Sequence, residues 1–348
     1  MRKLKVGING FGRIGRAIFR INHLKGLFDI VAINDINPDN HNIAYLLQYD
    51  STYGKFPEKI RDDKKYLIIG SKKIYVYHQD NISDVPWDKH KVDIVIESSG
   101  VRANLDNLDN LRSKIKNVIA TYDPGDIAKS IIFGVNEKSI NPSANFLFSA
   151  SICDAVALAP IVDIILKSNS IVSGFLTTIH PWLSYQNLLD GPSKSWTHPG
   201  DIFSHYALGR SSVSNIIPKS TSAIQATEKV LPKLGDKIIS FSFRSPTNIV
   251  SGAVLTLLLK RPTTYNRFVS IFKRSEKKQK YNILKNSVEP LTSIDYIGEE
   301  YSAIIDHRWT KVNNKRHVEL VYWYDNEWGY SNKVIELISL IGKKYKSR

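Results

Sequence analysis

Three glycines constrain the start of this chain's fold more than any other feature. Gly10-x-Gly12-x-x-Gly15 follows an apolar run over residues 4–9 and opens a helical segment over 14–21. A buried strand that turns through glycine into a helix begins a crossover to a parallel strand. Glycine meets three needs there: a tight turn, close backbone approach to a pyrophosphate, and contact between helix and sheet. The free N–H groups at the helix start then hold the phosphates. The next apolar run, 28–34, ends at Asn34-Asp35, 20 residues after Gly15. A carboxylate at that strand end accepts hydrogen bonds from an adenosine ribose and repels a 2′-phosphate, so the expected cofactor is NAD rather than NADP. The other reading of Asp35 is a loop or capping residue.

Apolar runs at 92–97, 117–120 and 145–148 read as further strands, giving a parallel sheet with helices on both faces. After residue 153 the pattern changes. A helix is expected over 154–167, bent by Pro160. Longer strand-like runs follow at 171–178, 238–243, 250–259 and 318–323, and predict a mostly antiparallel sheet. A Ser/Gly/Pro-rich stretch over 190–210 is too long to be a mere turn. The segment 329–341 is amphipathic and suited to pack back on the first half.

Cys153 is the only cysteine among 348 residues, so no internal disulfide can form. Its thiol is either a small buried apolar group or a nucleophile. The 48 basic and 33 acidic residues leave a net charge of +15, part of it clustered over 260–285. A basic surface attracts phosphorylated metabolites, acidic proteins or nucleic acid, but a solvated helix face explains this cluster as well. Nucleic acid is therefore not an expected partner, and no metal ligands stand out. No apolar run reaches bilayer length and a strand begins at once, so a cytoplasmic location without a membrane partner is expected.

At this point the chain resembles the glyceraldehyde-3-phosphate dehydrogenase family. Lys5-Val-Gly-Ile-Asn-Gly-Phe-Gly-Arg-Ile-Gly-Arg16 is nearly that family's N-terminal signature. Asn34-Asp35, Gly134-Val-Asn136, Leu158-Ala-Pro160, Thr177-Thr-Ile-His180, Asn215-Ile-Ile-Pro218 and Trp323-Tyr-Asp-Asn-Glu-Trp-Gly-Tyr-Ser-Asn332 follow in the family's order. The resemblance implies an α/β protein: a Rossmann-type NAD-binding domain over 1–152, completed by a C-terminal helix over 329–348, and an α+β catalytic domain over 153–328. Cys153 falls on the family's nucleophile and His180 on its general base. Gly10, Phe11, Gly12, Arg13, Ile14, Asp35 and Thr121 match cofactor contacts, and Asn326 the position that holds the nicotinamide amide. The implied chemistry is addition of a thiolate to an aldehyde, then loss of the hydroxyl proton to histidine as hydride passes to the nicotinamide. That leaves a thioester, which inorganic phosphate attacks in the family. A homotetramer is also implied.

The phosphate contacts depart from the family. Its Ser-Cys-Thr-Thr-Asn block reads Ile152-Cys-Asp-Ala-Val156 here, so Asp154 brings negative charge where an anion should arrive. Two unit charges about 4 Å apart repel by roughly 1 kcal/mol in water and several times more at a protein surface. Leu183 and Tyr185 stand for a threonine and an aspartate, Leu208 for an arginine, and Thr221-Ser222 for Thr-Gly, while Pro181-Trp182 add bulk beside the histidine. Thr221 and Arg244 keep the family's identities. Asp154, Thr221, Ser222 and Arg244 are the candidate substrate contacts. The expectation is a redox half retained and a phosphate-handling half remodelled, acting on a small, phosphorylated aldehyde with an altered substrate or acyl acceptor. Two alternatives stay open. Lys194, Arg210 or Lys219 restores the anion site of an ordinary phosphorylating enzyme, or the chain is an inactive NAD-binding sensor or scaffold.

Overall fold

The computed structural model describes residues 3–106, 108–195 and 197–346, so positions 1–2, 107, 196 and 347–348 of the expected ranges lie outside the described residues. Lys5–Asn9 occupies the middle of a nine-stranded sheet, parallel to Asp29–Asn34 on one side and to Ile94–Glu97 on the other. Asn117–Ala120, Leu147–Ser149 and Lys129–Ser130 extend the second side, all parallel. Strand order therefore reverses at Lys5–Asn9, and the crevice beyond the carboxyl ends of such strands is where ligands bind. Every residue of Ile94–Glu97 and Asn117–Ala120 is buried, which is why these strands read as unbroken apolar runs.

The other edge was not foreseen. Lys72–Tyr77 continues the parallel order, and Tyr66–Ile69 and Ile60–Asp62 then add antiparallel strands. Their buried and half-buried residues alternate, so each lacks the continuous apolar run of the central strands. The helix Trp328–Lys346 packs against Arg13–Lys25, and its Lys344 Nζ donates to the Ile140 carbonyl at 2.6 Å.

A seven-stranded sheet carries the second half, in the order Ile217–Lys219, Ile238–Ser245, Ile171–Pro181, Ser251–Leu259, His317–Tyr324, Ala303–Asn313, Leu284–Ser287. Four of its six pairings are antiparallel, as expected. The parallel pairing of Ile171–Pro181 with Ile238–Ser245 brings His180 directly opposite Arg244. On the first of these strands Leu176, Thr178 and His180 are buried under helices while Phe175 and Ile179 face outward.

The helix expected over 154–167 is Cys153–Ser168 and continues through Pro160, buried from Asp154 to Asp163. Pro160 has no N–H to offer the Val156 carbonyl, and the helix tolerates that loss inside the core. Val250, read from sequence as the first residue of a strand, instead has φ of 68°, and the strand starts at Ser251. The basic cluster over 260–285 includes the helix Tyr265–Lys278, which buries Phe268, Val269 and Phe272 and exposes its lysines and arginines.

Candidate active site

A cavity of about 940 Å³ opens at the carboxyl end of the first sheet, walled by Gly10, Phe11, Gly12, Asp35, Ser98 and Ser99. The three glycines divide the work. Gly10 has φ of 84°, and a Cβ there would meet the Ser99 nitrogen at 2.4 Å. A Cβ on Gly15 would meet the Gly10 carbonyl oxygen at 2.3 Å, so both enforce close packing of loop, helix and sheet. Nothing lies within 4 Å of a Cβ on Gly12, which leaves open space beside the start of the helix Arg13–Lys25. That is the cradle a pyrophosphate needs. Asp35 accepts from the Phe11 N–H at 2.6 Å and the Asn37 N–H at 2.9 Å, tying the strand end to the glycine loop. These residues fit NAD.

The remaining cofactor candidates take different positions. The Arg13 guanidinium turns to Asp50 and Glu327, each at 2.6 Å, so what residue 13 offers a phosphate is its main chain. Ile14 is half-buried against the core. Thr121 donates its N–H to the Glu97 carbonyl at 2.9 Å. Asn326 is buried, and its Oδ1 accepts from the Val250 N–H at 3.1 Å, leaving its amide hydrogens for a ligand. The opposite wall of the cavity includes Tyr185, Asn187 and Lys194.

Cys153 is the first residue of its helix, directly after the turn at Ser151, which has φ of 61°. The Tyr330 hydroxyl donates to the Ser151 carbonyl at 3.0 Å and pins that turn. The Cys153 thiol lies 3.6 Å from His180 Nε2 and 3.5 Å from Asp154 Oδ1. His180 Nδ1 sits 2.8 Å from the Pro181 carbonyl, an acceptor, so the proton belongs on Nδ1 and Nε2 presents a bare lone pair to the thiol. Asp154 is fixed by two hydroxyls, Tyr324 at 2.7 Å to Oδ1 and Thr221 at 3.2 Å to Oδ2. Ser222 precedes the helix Ala223–Val230 without capping it through its side chain.

The electrostatics follow from burial. Burial and the adjacent Asp154 carboxylate push the Cys153 thiol well above its ordinary value. Burial and the Arg244 guanidinium press His180 down to about 4. Burial opposes ionisation of Asp154, but the Tyr324 hydroxyl, Arg244 and, once protonated in acid, His180 outweigh it and hold the carboxyl below its ordinary value. The resting site thus pairs a neutral thiol and a neutral imidazole with an ionised carboxylate. Arg244 is buried and its Nε has no hydrogen-bond partner among the described residues, so it is a cation in want of an acceptor. Of the lysines and arginines considered as replacements, Lys219 faces this group, where it feels both Asp154 and Cys153. Arg210 pairs instead with Asp190 at 2.7 Å and Lys194 lines the dinucleotide cavity. Tyr324 and Tyr330 were missed from sequence; their signal is a hydroxyl at buried positions inside an otherwise apolar pattern.

Comparisons place this architecture among known proteins. Residues 4–105 match the glyceraldehyde 3-phosphate dehydrogenase NAD-binding domain and 152–326 its C-terminal domain. The chain is 36% identical to the glyceraldehyde-3-phosphate dehydrogenase of Chlamydia pneumoniae over 99% of its own length and 100% of that protein's. It is 38% identical to the enzyme of Ogataea parapolymorpha, covering 97% and 98% of the two chains. With the cytosolic enzyme of Chlamydomonas reinhardtii the identity is 35%, over 98% of each. Among the described residues no helix is long and apolar enough to cross a membrane. With the glycine cradle, the Cys153–His180 pair and both matched domains in one chain, this protein belongs to the glyceraldehyde-3-phosphate dehydrogenase family of NAD-dependent oxidoreductases.

Proposed function

We propose that the chain oxidises glyceraldehyde 3-phosphate or a related small phosphorylated aldehyde through a Cys153 thioester, and that Asp154 makes inorganic phosphate a poor acceptor of the acyl group. The observation that carries the reading is the Cys153 thiol at 3.6 Å from His180 Nε2, with Asp154 Oδ1 at 3.5 Å from the thiol and 4.0 Å from the ring nitrogen. His180 takes the thiol proton as sulfur attacks the aldehyde carbon, returns it to the carbonyl oxygen to complete the thiohemiacetal, and takes that hydroxyl proton back as hydride leaves. The Gly10–Gly12 loop and Asp35 would hold NAD, the Asn326 amide hydrogens would be free for its nicotinamide amide, and NAD would supply the hydride acceptor. Arg244, buried with a free Nε, is the natural anchor for the substrate's phosphate.

Asp154 takes the hydroxyl hydrogen bonds of Thr221 and Tyr324, which an incoming phosphate would otherwise use, and its negative charge repels that phosphate. The thioester is then released by water or another acceptor. Lys219 supports a second reading, in which its charge offsets Asp154 and phosphate still enters. One experiment separates the readings: NADH formation from glyceraldehyde 3-phosphate with and without phosphate. Turnover nearly independent of phosphate is expected. Saturable stimulation by more than about tenfold supports the Lys219 reading. Absence of NADH with a panel of aldehydes and acceptors, despite NAD binding, overturns both.

We also propose a cytoplasmic homo-oligomer. The outer face of the second sheet leaves Phe175 58% exposed, and Ile179, Ile239 and Phe241 also open to solvent, a contiguous apolar surface suited to a second copy.

A further inference from the structure

We propose that Cys153 Sγ, Asp154 Oδ1 and His180 Nε2 form a three-ligand zinc site that reversibly caps the nucleophile. Among the described residues this is the one group of Cys, His, Asp and Glu donors that converges, with its atoms within 4.8 Å of one another. Sequence spacing concealed it, because the histidine arrives from a strand 26 residues beyond Asp154. Tetrahedral zinc, with bonds of about 2.3 Å to sulfur and about 2.0–2.1 Å to nitrogen or oxygen, separates sulfur from either by about 3.6 Å and nitrogen from oxygen by about 3.4 Å. The observed separations are 3.6 Å for sulfur to nitrogen, 3.5 Å for sulfur to oxygen and 4.0 Å for nitrogen to oxygen. Only the last must shorten, by about 0.6 Å on this geometry.

The groups behind the ligands also match. His180 Nδ1 is engaged by the Pro181 carbonyl, which aims Nε2 at the site, and Asp154 is held by Tyr324 and Thr221. Such outer partners orient metal ligands and raise their basicity. Cys153 is the partly exposed member of the three, so the fourth position is left to water. A thiolate and a carboxylate neutralise the ion's two charges, while Arg244 and Lys219 oppose it, so binding is weaker than at a closed structural site. The step balances simply: the thiol loses its proton to solvent and sulfur bonds to zinc, one proton per ion, with no change of oxidation state.

The test uses the full chain, stripped with a chelator and without NAD or aldehyde, so it is independent of the acyl-acceptor reading. Cobalt(II) is titrated as a spectroscopic stand-in, then displaced by zinc. Expected are one ion per chain, a thiolate-to-cobalt charge-transfer band, protection of Cys153 from iodoacetamide, and loss of the band in Cys153→Ser. Asp154→Asn and Asp154→Thr are expected to weaken binding at least about tenfold, with NAD titration reporting that each variant is folded. No charge-transfer band in the unsubstituted protein, or affinity in both Asp154 variants within about threefold of it, overturns the proposal.

Discussion

The Tyr324 hydroxyl donates to Asp154 Oδ1 at 2.7 Å, joining the last strand of the second sheet to the first turn of the Cys153 helix. A carboxylate in the first turn suits the helix dipole, but this one faces the thiol and disfavours its ionisation. Asp154→Thr should therefore lower the pH at which Cys153 becomes reactive and make turnover more responsive to phosphate. The rate of iodoacetamide alkylation against pH, with phosphate titrations of NADH formation, checks both. An unchanged alkylation profile would show that burial alone sets the thiol.

Acid should destabilise this fold through buried imidazoles. His180 and His307 are each pressed to about 4, by burial and then by Arg244 for the first and Lys273 for the second. Unfolded, such rings bind protons near 6.5, so between about 4 and 6.5 the unfolded state holds more protons and stability rises with pH, levelling off above that window. Buried Glu97, raised to about 7 mainly by burial, works in the opposite sense. His307, held by Thr310 and Asn286 away from Cys153, provides the clean test. His307→Asn should reduce the slope of stability against pH by up to about 1.4 kcal/mol per pH unit, one proton's worth, measured by denaturant titration from pH 4.5 to 7.

Much of the fold was legible because its central strands are buried on both faces and its glycine loop has one structural use. Asn117–Ala120 was read to the residue, and the start of the helix Cys153–Ser168 to within one. The edge strands Ile60–Asp62 and Tyr66–Ile69 were not, since half-exposed strands mix lysine, aspartate and tyrosine into short runs, nor was the long strand Ala303–Asn313, whose buried start carries the polar Asp306 and His307. Within the site, Cys153, His180 and Asp154 were singled out from their family positions. What sequence could not supply was direction: that Arg13 turns to Asp50 and Glu327, that Lys219 rather than Arg210 faces the thiol, and that Tyr324 reaches Asp154. Those depend on how strands far apart in the chain come into register.

Gly10 and Gly12 should separate folding from cofactor binding. Gly10→Ala forces a Cβ to 2.4 Å from the Ser99 nitrogen at φ of 84°, and is expected to lower the melting temperature sharply. Gly12→Ala meets nothing within 4 Å, so the melting temperature should hold while NAD affinity falls at least about tenfold as the methyl enters the phosphate cradle. Thermal scans and NAD titrations of both proteins measure the two effects.

The apolar outer face of the second sheet should govern assembly. Phe241 stacks edge-on against Phe243 at 5.2 Å and is 44% exposed, on a strand adjoining that of Phe175. Phe175→Glu with Phe241→Glu places like charges on a surface meant to be covered by a second copy, without disturbing the inward-facing residues. Light scattering should then report a lower mass than for the unsubstituted protein. A monomer before substitution would remove the oligomer from the proposal.

Asn326 links backbone strain to the cofactor. Val250 is β-branched yet holds φ of 68°, a conformation costing on the order of 1–3 kcal/mol and sustained only by its surroundings. Part of that support is the Asn326 Oδ1 accepting the Val250 N–H at 3.1 Å inside the core. Asn326→Ala removes the acceptor and the amide donors together, so stability should fall by about 1–3 kcal/mol as the buried N–H goes unpaired, and turnover should fall as well. Asn326→Asp keeps the acceptor oxygens and removes the donors. It should recover much of the stability while leaving turnover low, a split measured by denaturant titration alongside NADH formation. If both properties recover together, Asn326 supports Val250 and contributes nothing through its amide hydrogens.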